Sequence, residues 1–211
     1  MSDGTRTWRG KDLAERASVR RNQLFTAALD LIDEGGITAV TVRGVCATSR
    51  LTARYFYESF TDLTDLITSL YDELASQAVE AIASGVTSAI DDETDPLGSF
   101  VRSGMAYLSA DPRACRFLLV HAAGHPPMHQ RRRALIDDLL ARATRIWTRA
   151  VPDAPSLVTS GLAARFALGG LIEFATAYLE GRLDLTEDEC AEAALGLLRA
   201  FVTSEGGLHT S

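Results

Sequence analysis

The sequence predicts an all-α protein of about nine helices, with a three-helix N-terminal head followed by a larger helical C-terminal domain. Apolar residues recur at the three- and four-residue spacing of a helix face, and no stretch alternates as a half-buried strand would. Glycine pairs, Asp-Pro pairs and capping residues divide this pattern into segments of helical length. Because 46% of the 211 residues are hydrophobic, the chain can bury a sizeable core.

The first helix is predicted over residues 14–34. Its apolar residues between Leu24 and Ile32 fall on one face of a helix. Gly35 and Gly36 then provide the glycine stop that commonly ends a helix.

Two short helices follow, over residues 42–49 and 53–59. Thr41 and Thr52 are suitable N-caps, since a threonine hydroxyl can accept a hydrogen bond from a free amide of the first turn. A tight turn at Arg50 joins the two helices. This arrangement is a helix-turn-helix, whose second helix enters the major groove of DNA.

Downstream helices are marked by their starting residues. Thr61 is expected to cap the long fourth helix, while Asp95 and Asp111 each precede a proline at a first helical position. Thr186 and Glu189 form a capping box. The predicted helices are residues 62–84, one from 96, one from 112, one from the Pro126-Pro127 pair to about 151, residues 156–180 and residues 187–203.

The second short helix is crowded with aromatic residues, and its faces predict two roles. Phe56 and Phe60 are four residues apart and are expected to pack against the first two helices. Arg54 could reach a guanine edge or a phosphate from the other side. On spacing alone, a helix buried on all sides would explain the aromatic residues equally well. The residues predicted to contact DNA are Thr41, Arg43, Arg50, Thr52, Ala53, Arg54, Tyr55 and Tyr57.

Charge supports a division of labour along the chain. The net charge is −7, but residues 1–60 carry +2 and residues 61–211 carry −9. A basic first quarter on an acidic body can still face a phosphate backbone. The N-terminus lacks an apolar signal segment, which predicts a cytoplasmic protein without membrane contact. Three widely spaced cysteines predict reduced thiols, and no cofactor or metal is expected.

Residues 21–66 resemble the N-terminal domain of TetR-type (tetracycline-repressor-like) transcriptional regulators. The stretch "AALDLIDEGG" matches the family's small-apolar helix with its glycine stop, and "TVRGVCATSRLTARYFYESF" matches its helix-turn-helix. Tyr57 and Phe60 match its usual Tyr-x-x-Phe. The resemblance implies a sequence-specific DNA-binding regulator, a repressor that a small-molecule effector releases from a palindromic operator, and not an enzyme.

Three positions depart from the family's pattern. Arg50 stands where glycine is common in the turn, and Arg54 stands where glycine is common early in the recognition helix. Leu63 replaces a frequent phosphate-contacting lysine. The head therefore carries two additional cations and lacks one expected phosphate contact.

The resemblance also implies how the chain is divided. Residues 1–15 are predicted to form a flexible basic arm, residues 16–62 a DNA-binding domain with the helix-turn-helix at about 41–60, and residues 63–211 an effector-binding and dimerisation domain. Cations that could follow DNA from the arm and the start of the first helix are Arg6, Arg9, Lys11, Arg16, Arg20 and Arg21.

A homodimer is expected, because one helix-turn-helix reads only a half-site. TetR-type proteins use their last two long helices for a four-helix interface, and the last two helices here are apolar enough for it. The predicted interface residues are Gly161, Leu168, Leu171, Ala191, Ala194, Leu198 and Phe201.

TetR-type proteins enclose an effector pocket among their middle and C-terminal helices, so the resemblance implies that some of the mostly apolar residues of this region line one. Their character favours a hydrophobic or aromatic small molecule. The candidate ligand-binding residues are Phe100, Met105, Phe117, His121, Trp147 and Phe174.

Two alternative functions stay open from the sequence. His121, His125 and His129 recur every four residues, and on a continuous helix they would form a plausible site for a metal-responsive regulator. Glycine and proline interrupt that stretch, however. A small all-α enzyme is the other alternative, although no catalytic motif stands out.

Overall fold

The computed structural model describes residues 4–150 and 161–205 of the chain. These residues contain nine α-helices and no strand, which confirms the all-α prediction. The helices are α1 Gly4–Gly35, α2 Val42–Ser49, α3 Ala53–Ser59, α4 Leu63–Asp91, α5 Pro96–Ala110, α6 Pro112–Leu119, α7 His129–Ala150, α8 Leu162–Leu179 and α9 Glu187–Glu205. Short 3-10 turns lie at Ile37–Ala39, His121–Gly124 and Pro126–Met128.

The chain divides into two compact units, Met1–Asp72 and Glu73–Ser211. The boundary falls inside α4, beyond residue 62 where the sequence suggests that the DNA-binding domain ends. Because α4 is one continuous helix, the chain passes from one unit to the other without a loop.

In the first unit, α1, α2 and α3 pack against one another around a core to which α1 contributes Leu24, Ala28 and Ile32. Their spacing of four residues keeps all three on one face. Gly36, with a φ of 75°, follows the end of α1 in the left-handed region that glycine tolerates. The helix starts at Gly4, before the predicted start at residue 14.

The caps of α2 and α4 show local encoding of helix ends. Thr41 caps α2 as predicted, its hydroxyl accepting a hydrogen bond from the Gly44 amide at 3.0 Å. For α4 the prediction of a Thr61 cap was one residue too early. Asp62 accepts from the Asp65 amide at 2.8 Å, and the Asp65 carboxylate accepts from the Thr61 amide at 2.8 Å. The helix therefore begins at Leu63.

Helix α4 continues past the predicted end at residue 84. Gly85 and β-branched residues weaken helix propensity over this last stretch. Val86 is fully buried and Ala89 is 4% exposed, so burial stabilises the turns that propensity alone disfavours.

The second unit has its own core between α5 and α9, with further packing among α6, α7 and α8. Core residues of the α5–α9 cluster are Val101, Met105, Cys190, Ala194, Leu195 and Leu198. The capping box predicted for α9 is present, since Glu189 accepts from the Thr186 amide at 2.9 Å. No helix of the described residues is long and apolar enough to cross a membrane. All three cysteines are free thiols.

Asp95 joins the start of α5 to α9. One carboxylate oxygen accepts from the Gly98 amide at 3.0 Å, and the other pairs with Arg199 at 2.6 Å. The Gly98 hydrogen bond, together with Arg199, holds the pKa of Asp95 below its usual value. Asp95 thus combines a local cap with a contact between residues 104 positions apart.

Replacing Asp95 with alanine is expected to lower the free energy of unfolding by about 1 kcal/mol, because the cap is lost. Asp95→Asn keeps an acceptor for the Gly98 amide and should cost less, since an exposed ion pair contributes between about 0 and 1 kcal/mol. A carboxylate with a lowered pKa stabilises the fold above its unfolded pKa and loses that effect as the pH falls through the folded value. Urea unfolding should therefore show the difference between wild type and Asp95→Asn at pH 7, and the difference should shrink below about pH 4. A difference that grows on acidification would contradict this account.

Candidate nucleic-acid interface

Helix α3 has one buried and one exposed face, as the sequence predicts. Phe56 is fully buried and Phe60, just past the helix end, is 2% exposed. Tyr57 is 61% exposed and Tyr55 is 37% exposed. The reading in which all these aromatic residues are buried is therefore wrong, because a seven-residue helix packed on one side leaves its other side in solvent.

A cluster of aromatic rings and one arginine attaches α3 to α1. The ring of Phe60 lies 5.4 Å from that of Phe25 and 5.9 Å from that of Phe56. The Arg21 guanidinium lies 4.3 Å from the Phe60 ring and 4.9 Å from the Phe25 ring. Arg21 also donates to the Ser59 carbonyl at 3.0 Å, at the last residue of α3. Arg21, one of the cations that the sequence suggests could follow DNA, thus holds α3 against α1.

The exposed face of α3 is cationic and aromatic. The Arg54 side chain is 84% exposed and pairs with Glu58 one turn later, at 2.9 Å. The Arg20 guanidinium lies 4.8 Å from the centre of the Tyr55 ring, a cation–π contact that covers one face of this tyrosine. Both contacts lie at the surface, where cation–π contacts and ion pairs are weak and can be exchanged for contacts to a ligand.

All eight residues predicted to contact DNA are exposed. They lie at three places: Thr41 and Arg43 at the start of α2, Arg50 in the turn, and the other five between Thr52 and Tyr57. Thr41 uses its hydroxyl to cap α2. Thr52 makes no side-chain capping bond to α3.

Arg50 adopts a left-handed conformation, with φ of 57° and ψ of 28°. Its amide closes α2 by donating to the carbonyls of Cys46 and Ala47. This geometry explains why glycine suits the turn, since a side chain in the left-handed region costs about 1 kcal/mol or more. Compared with glycine, arginine at this position strains the backbone but adds an exposed positive charge.

Arg50→Gly is expected to raise the free energy of unfolding by about 0.5 to 1 kcal/mol, the relief of strain being partly offset by the greater freedom of glycine in the unfolded chain. If Arg50 contacts a phosphate, the same variant should bind DNA more weakly with a salt dependence reduced by about one charge. Chemical denaturation and salt titration of DNA binding measure the two effects separately. A less stable variant would contradict the strain assigned to Arg50.

The second unit contains an apolar cavity of about 150 Å³, partly open to solvent, among α4 to α9. Its only polar side-chain groups, among the described residues, are the Tyr107 hydroxyl and the Cys115 thiol. Burial raises the pKa of both, that of Cys115 to about 12, so both are neutral at physiological pH. The lining residues are Ala78, Ile82, Phe100, Val101, Gly104, Met105, Tyr107, Leu108, Cys115, Leu118, Leu119, Leu135, Leu139, Leu168, Leu171, Ile172, Phe174, Ala175 and Ala194.

The candidate ligand-binding residues divide into three groups. Phe100, Met105 and Phe174 line the cavity. Phe117 is fully buried but does not line it, and neither does His121. The Trp147 side chain lies outside the described residues. Sequence reasoning missed Gly104 and Tyr107, although their spacing from Phe100 puts them on the same face of α5.

The three histidines do not form a metal site. His121 begins one 3-10 turn, His125 precedes the next, and His129 begins α7. Because three separate elements replace one continuous helix, the fourfold spacing no longer stacks the imidazoles. No cluster of three or more potential metal ligands occurs in the part of the chain that the structure describes.

Several residues predicted for the dimer interface pack inside their own chain. Leu168, Ala194 and Leu198 are at most 7% exposed, and the last two belong to the α5–α9 core. Leu171 and Ala191 are partly buried against the same core. Both helices carry apolar residues on more than one face, and periodicity does not tell which face turns inward.

Other apolar residues of α8 and α9 face solvent. Phe166 is 72% exposed, Leu162 is 61% exposed and Leu197 is 65% exposed. Gly161 stands at the N-cap of α8 in a left-handed conformation. Phe201 lies outside the residues whose side chains are described. The exposed apolar surface of these two helices, defined by Leu162, Phe166 and Leu197, is called the α8–α9 face below.

No protein-family model and no curated protein sequence matches the chain. Solved structures do. A structure assigned to the TetR family, from Syntrophomonas wolfei, superposes with a TM-score of 0.73 at 20% identity, over 88% of this chain and 96% of that one. The chain has the TetR-type fold. The two-faced helix α3 is the third helix of the head in this fold.

Two further structural neighbours are both regulators named FadR. The fatty acid degradation regulator FadR from Bacillus halodurans gives a TM-score of 0.73 at 18% identity, over 85% of this chain and 94% of that one. FadR from Bacillus subtilis, solved with stearoyl-CoA, gives 0.71 at 16% identity, over 86% and 97%. The TM-scores establish the TetR-type fold. At identities this low, the ligand and the DNA target have to be argued from the residues of this chain.

Proposed function

We propose that the protein is a sequence-specific, DNA-binding transcriptional regulator that acts as a homodimeric repressor and leaves its operator when a small molecule binds. The observation that carries this proposal is the two-sided recognition helix. Phe56 and Phe60 anchor α3 in the head, while Arg54, Tyr55 and Tyr57 are exposed on a helix-turn-helix. A helix that reads the major groove needs one face packed on the protein and an opposite face with exposed side chains that can bind bases and phosphates.

Charge supports contact with DNA at this face. Arg43, Arg50 and Arg54 are all exposed, and residues 1–60 carry a net +2 within an acidic chain. Guanidinium groups can bind phosphates or the O6 and N7 acceptors of guanine. Tyrosine hydroxyls can donate to phosphates while their rings contact sugars or thymine methyl groups. The combination fits DNA better than a general polyanion.

A dimer follows from the symmetry of operators, since two heads must meet two half-sites about one helical turn apart. The α8–α9 face supports this part of the proposal, because three large apolar side chains on neighbouring helices are exposed in the single chain. A second copy of the chain could bury these side chains with its own α8–α9 face, because a two-fold symmetric interface pairs the same surface of both subunits. The interface that we propose therefore uses the α8–α9 face, whereas Leu168, Ala194 and Leu198 are buried within the single chain.

The cavity of the second unit is proposed as the effector site. A ligand releases DNA only if it binds the DNA-free arrangement more tightly than the DNA-bound one. Helix α4 supports such coupling, because Ala78 and Ile82 line the cavity while its first turns belong to the first unit.

Selection of bound fragments from genomic DNA by the purified protein tests the proposal. A regulator is expected to enrich a short palindromic sequence with an affinity that falls steeply as salt increases. The functions of the genes beside the enriched fragments would also indicate the chemical class of the effector. Binding without sequence enrichment, or no salt-dependent binding at all, would overturn the proposed function.

Arg54→Ala and Glu58→Gln are expected to change DNA binding in opposite directions. Removing Arg54 should weaken binding, with a loss of preference at one base position of about 1 to 3 kcal/mol if the contact is to a base. A phosphate contact would weaken binding to all sequences alike. Glu58→Gln removes a nearby negative charge and the partner of Arg54, so it should strengthen binding at low salt.

Fluorescence anisotropy with the selected operator and with single-base variants of it measures both effects. Glu80→Gln, which removes an exposed carboxylate from α4 in the second unit, is the matched control for the charge change. Equal affinities for wild type, Arg54→Ala and Glu58→Gln would remove α3 from the interface.

A further inference from the structure

The chemistry of the cavity in the second unit restricts what can occupy it. Its described lining is aliphatic or aromatic apart from the Tyr107 hydroxyl and the Cys115 thiol. The Tyr107 hydroxyl donates a hydrogen bond to the Leu74 carbonyl at 2.9 Å. The Cys115 sulfur lies 4.0 Å from the Tyr107 carbonyl. Both polar groups are thus already engaged within the protein.

A charged or strongly hydrogen-bonding ligand would lose its water on entering this cavity and find little in exchange. No arginine, lysine, histidine or carboxylate is among the described lining residues. Burying an unpaired polar group costs several kcal/mol on alkane-transfer scales, and burying an unpaired charge costs far more. The described lining therefore disfavours carboxylates, phosphates and nucleotide-bearing molecules inside the cavity.

The size of the cavity sets the second restriction. A volume of about 150 Å³ is comparable to that of an apolar cavity known to stay dry and to admit benzene. A long acyl chain needs several times this space. The neighbour solved with stearoyl-CoA consequently offers no template for the ligand of this chain.

We infer that the cavity binds an uncharged, hydrocarbon-like molecule of about the size of benzene or toluene. The inference rests on the proposed function only in assigning the cavity to the effector, since binding itself needs no DNA. Recognition comes from shape and apolar contact with residues such as Phe100, Phe174 and Ile172. A hydroxyl on the ligand is not needed, because the polar groups of the described lining have partners already.

Gly104 gives a direct way to fill the cavity. It lies in the middle of the lining face of α5, between Phe100 and Leu108, and a Cβ atom added there would meet nothing within 4 Å. A leucine at this position would place its side chain in the space that the ligand uses. Because leucine has a higher helix propensity than glycine, the helix itself does not oppose the change.

Thermal unfolding of the full chain without DNA, with toluene as the probe, tests the inference. At ten times the dissociation constant, toluene is expected to raise Tm by about 3 to 5 °C. Gly104→Leu should abolish that rise. Gly124→Leu is the matched control, because Gly124 is exposed, does not line the cavity and has equally open space at its Cβ. Benzoate, the charged counterpart of toluene, should leave Tm unchanged.

Each other outcome counts against the inference. A rise in Tm with benzoate or stearoyl-CoA but not with toluene would overturn the ligand class, and a full toluene effect in Gly104→Leu would overturn the site. No response of the wild type to toluene would overturn both. If Gly104→Leu folds poorly, Gly104→Ala fills less of the space and should weaken toluene binding several-fold. Operator binding measured separately, without ligand, keeps these outcomes distinct from a failure of the proposed function.

Discussion

Phe56→Ala is expected to lower the free energy of unfolding of the head by about 3 to 5 kcal/mol, while the neighbouring change Tyr57→Ala should cost about 1 kcal/mol or less. Phe56 is fully buried, and its removal leaves a cavity beneath the recognition helix. Tyr57 is 61% exposed and touches the fold mainly through an edge-on contact with Phe56, at 5.2 Å between ring centres. Adjacent aromatic residues should thus give opposite phenotypes.

The two variants also separate stability from DNA contact. Tyr57→Ala should fold normally and bind the operator more weakly, whereas Phe56→Ala should lose binding only because the head unfolds. Urea titration followed by circular dichroism reports folding, and anisotropy at a temperature where each variant is folded reports binding. If Tyr57→Ala binds the operator as tightly as wild type, Tyr57 is not a contact. If Phe56→Ala is as stable as wild type, the assigned packing of α3 is wrong.

Leu197→Asp is expected to convert the dimer to a monomer at micromolar concentration. The substitution places an unpaired carboxylate on the α8–α9 face, and two-fold symmetry places it there twice. Each desolvated, unpaired charge costs about 3 kcal/mol, so the two carboxylates together cost about 6 kcal/mol, which corresponds to a rise of roughly ten-thousandfold in the dissociation constant of the dimer. Operator affinity should fall in parallel, because the two heads are no longer held together.

Leu185→Asp supplies the matched control for this experiment. Leu185 is 37% exposed and lies in the loop before α9, so the same change of residue type falls outside the α8–α9 face. Sedimentation velocity should show a dimer for wild type and Leu185→Asp and a monomer for Leu197→Asp. A monomeric wild type would end the dimer proposal, and a dimeric Leu197→Asp would move the interface to other residues.

Helix ends were predicted well where the cap lies within a few residues of the amide it satisfies. Thr41 caps α2, Asp95 caps α5 and the Thr186–Glu189 box caps α9, as the sequence indicates. These bonds join residues three positions apart and need no tertiary partner. The late end of α4 escaped prediction, since burial of Val86 and Ala89 stabilises turns whose helix propensity is weak.

The roles of individual cations and apolar residues were harder to predict. Arg21 reads as one of several basic residues near the N-terminus, yet it contacts Phe60 and the Ser59 carbonyl, 38 residues away. Leu198 reads as an interface residue, yet it lies in the α5–α9 core. The sequence near Arg21 or Leu198 does not predict these contacts, because the charge or hydrophobicity of a side chain does not show which distant residues pack against it.

The sequence by itself determined the all-α class and the positions of the short helices, because these depend on spacing and capping within a few residues. Only the tertiary structure decided that Phe56 is buried while Tyr57 is exposed, that Leu197 is exposed while Leu198 is buried, and that an uncharged cavity lies among α4 to α9. These features arise from contacts between residues distant in the chain, and no local pattern encodes them.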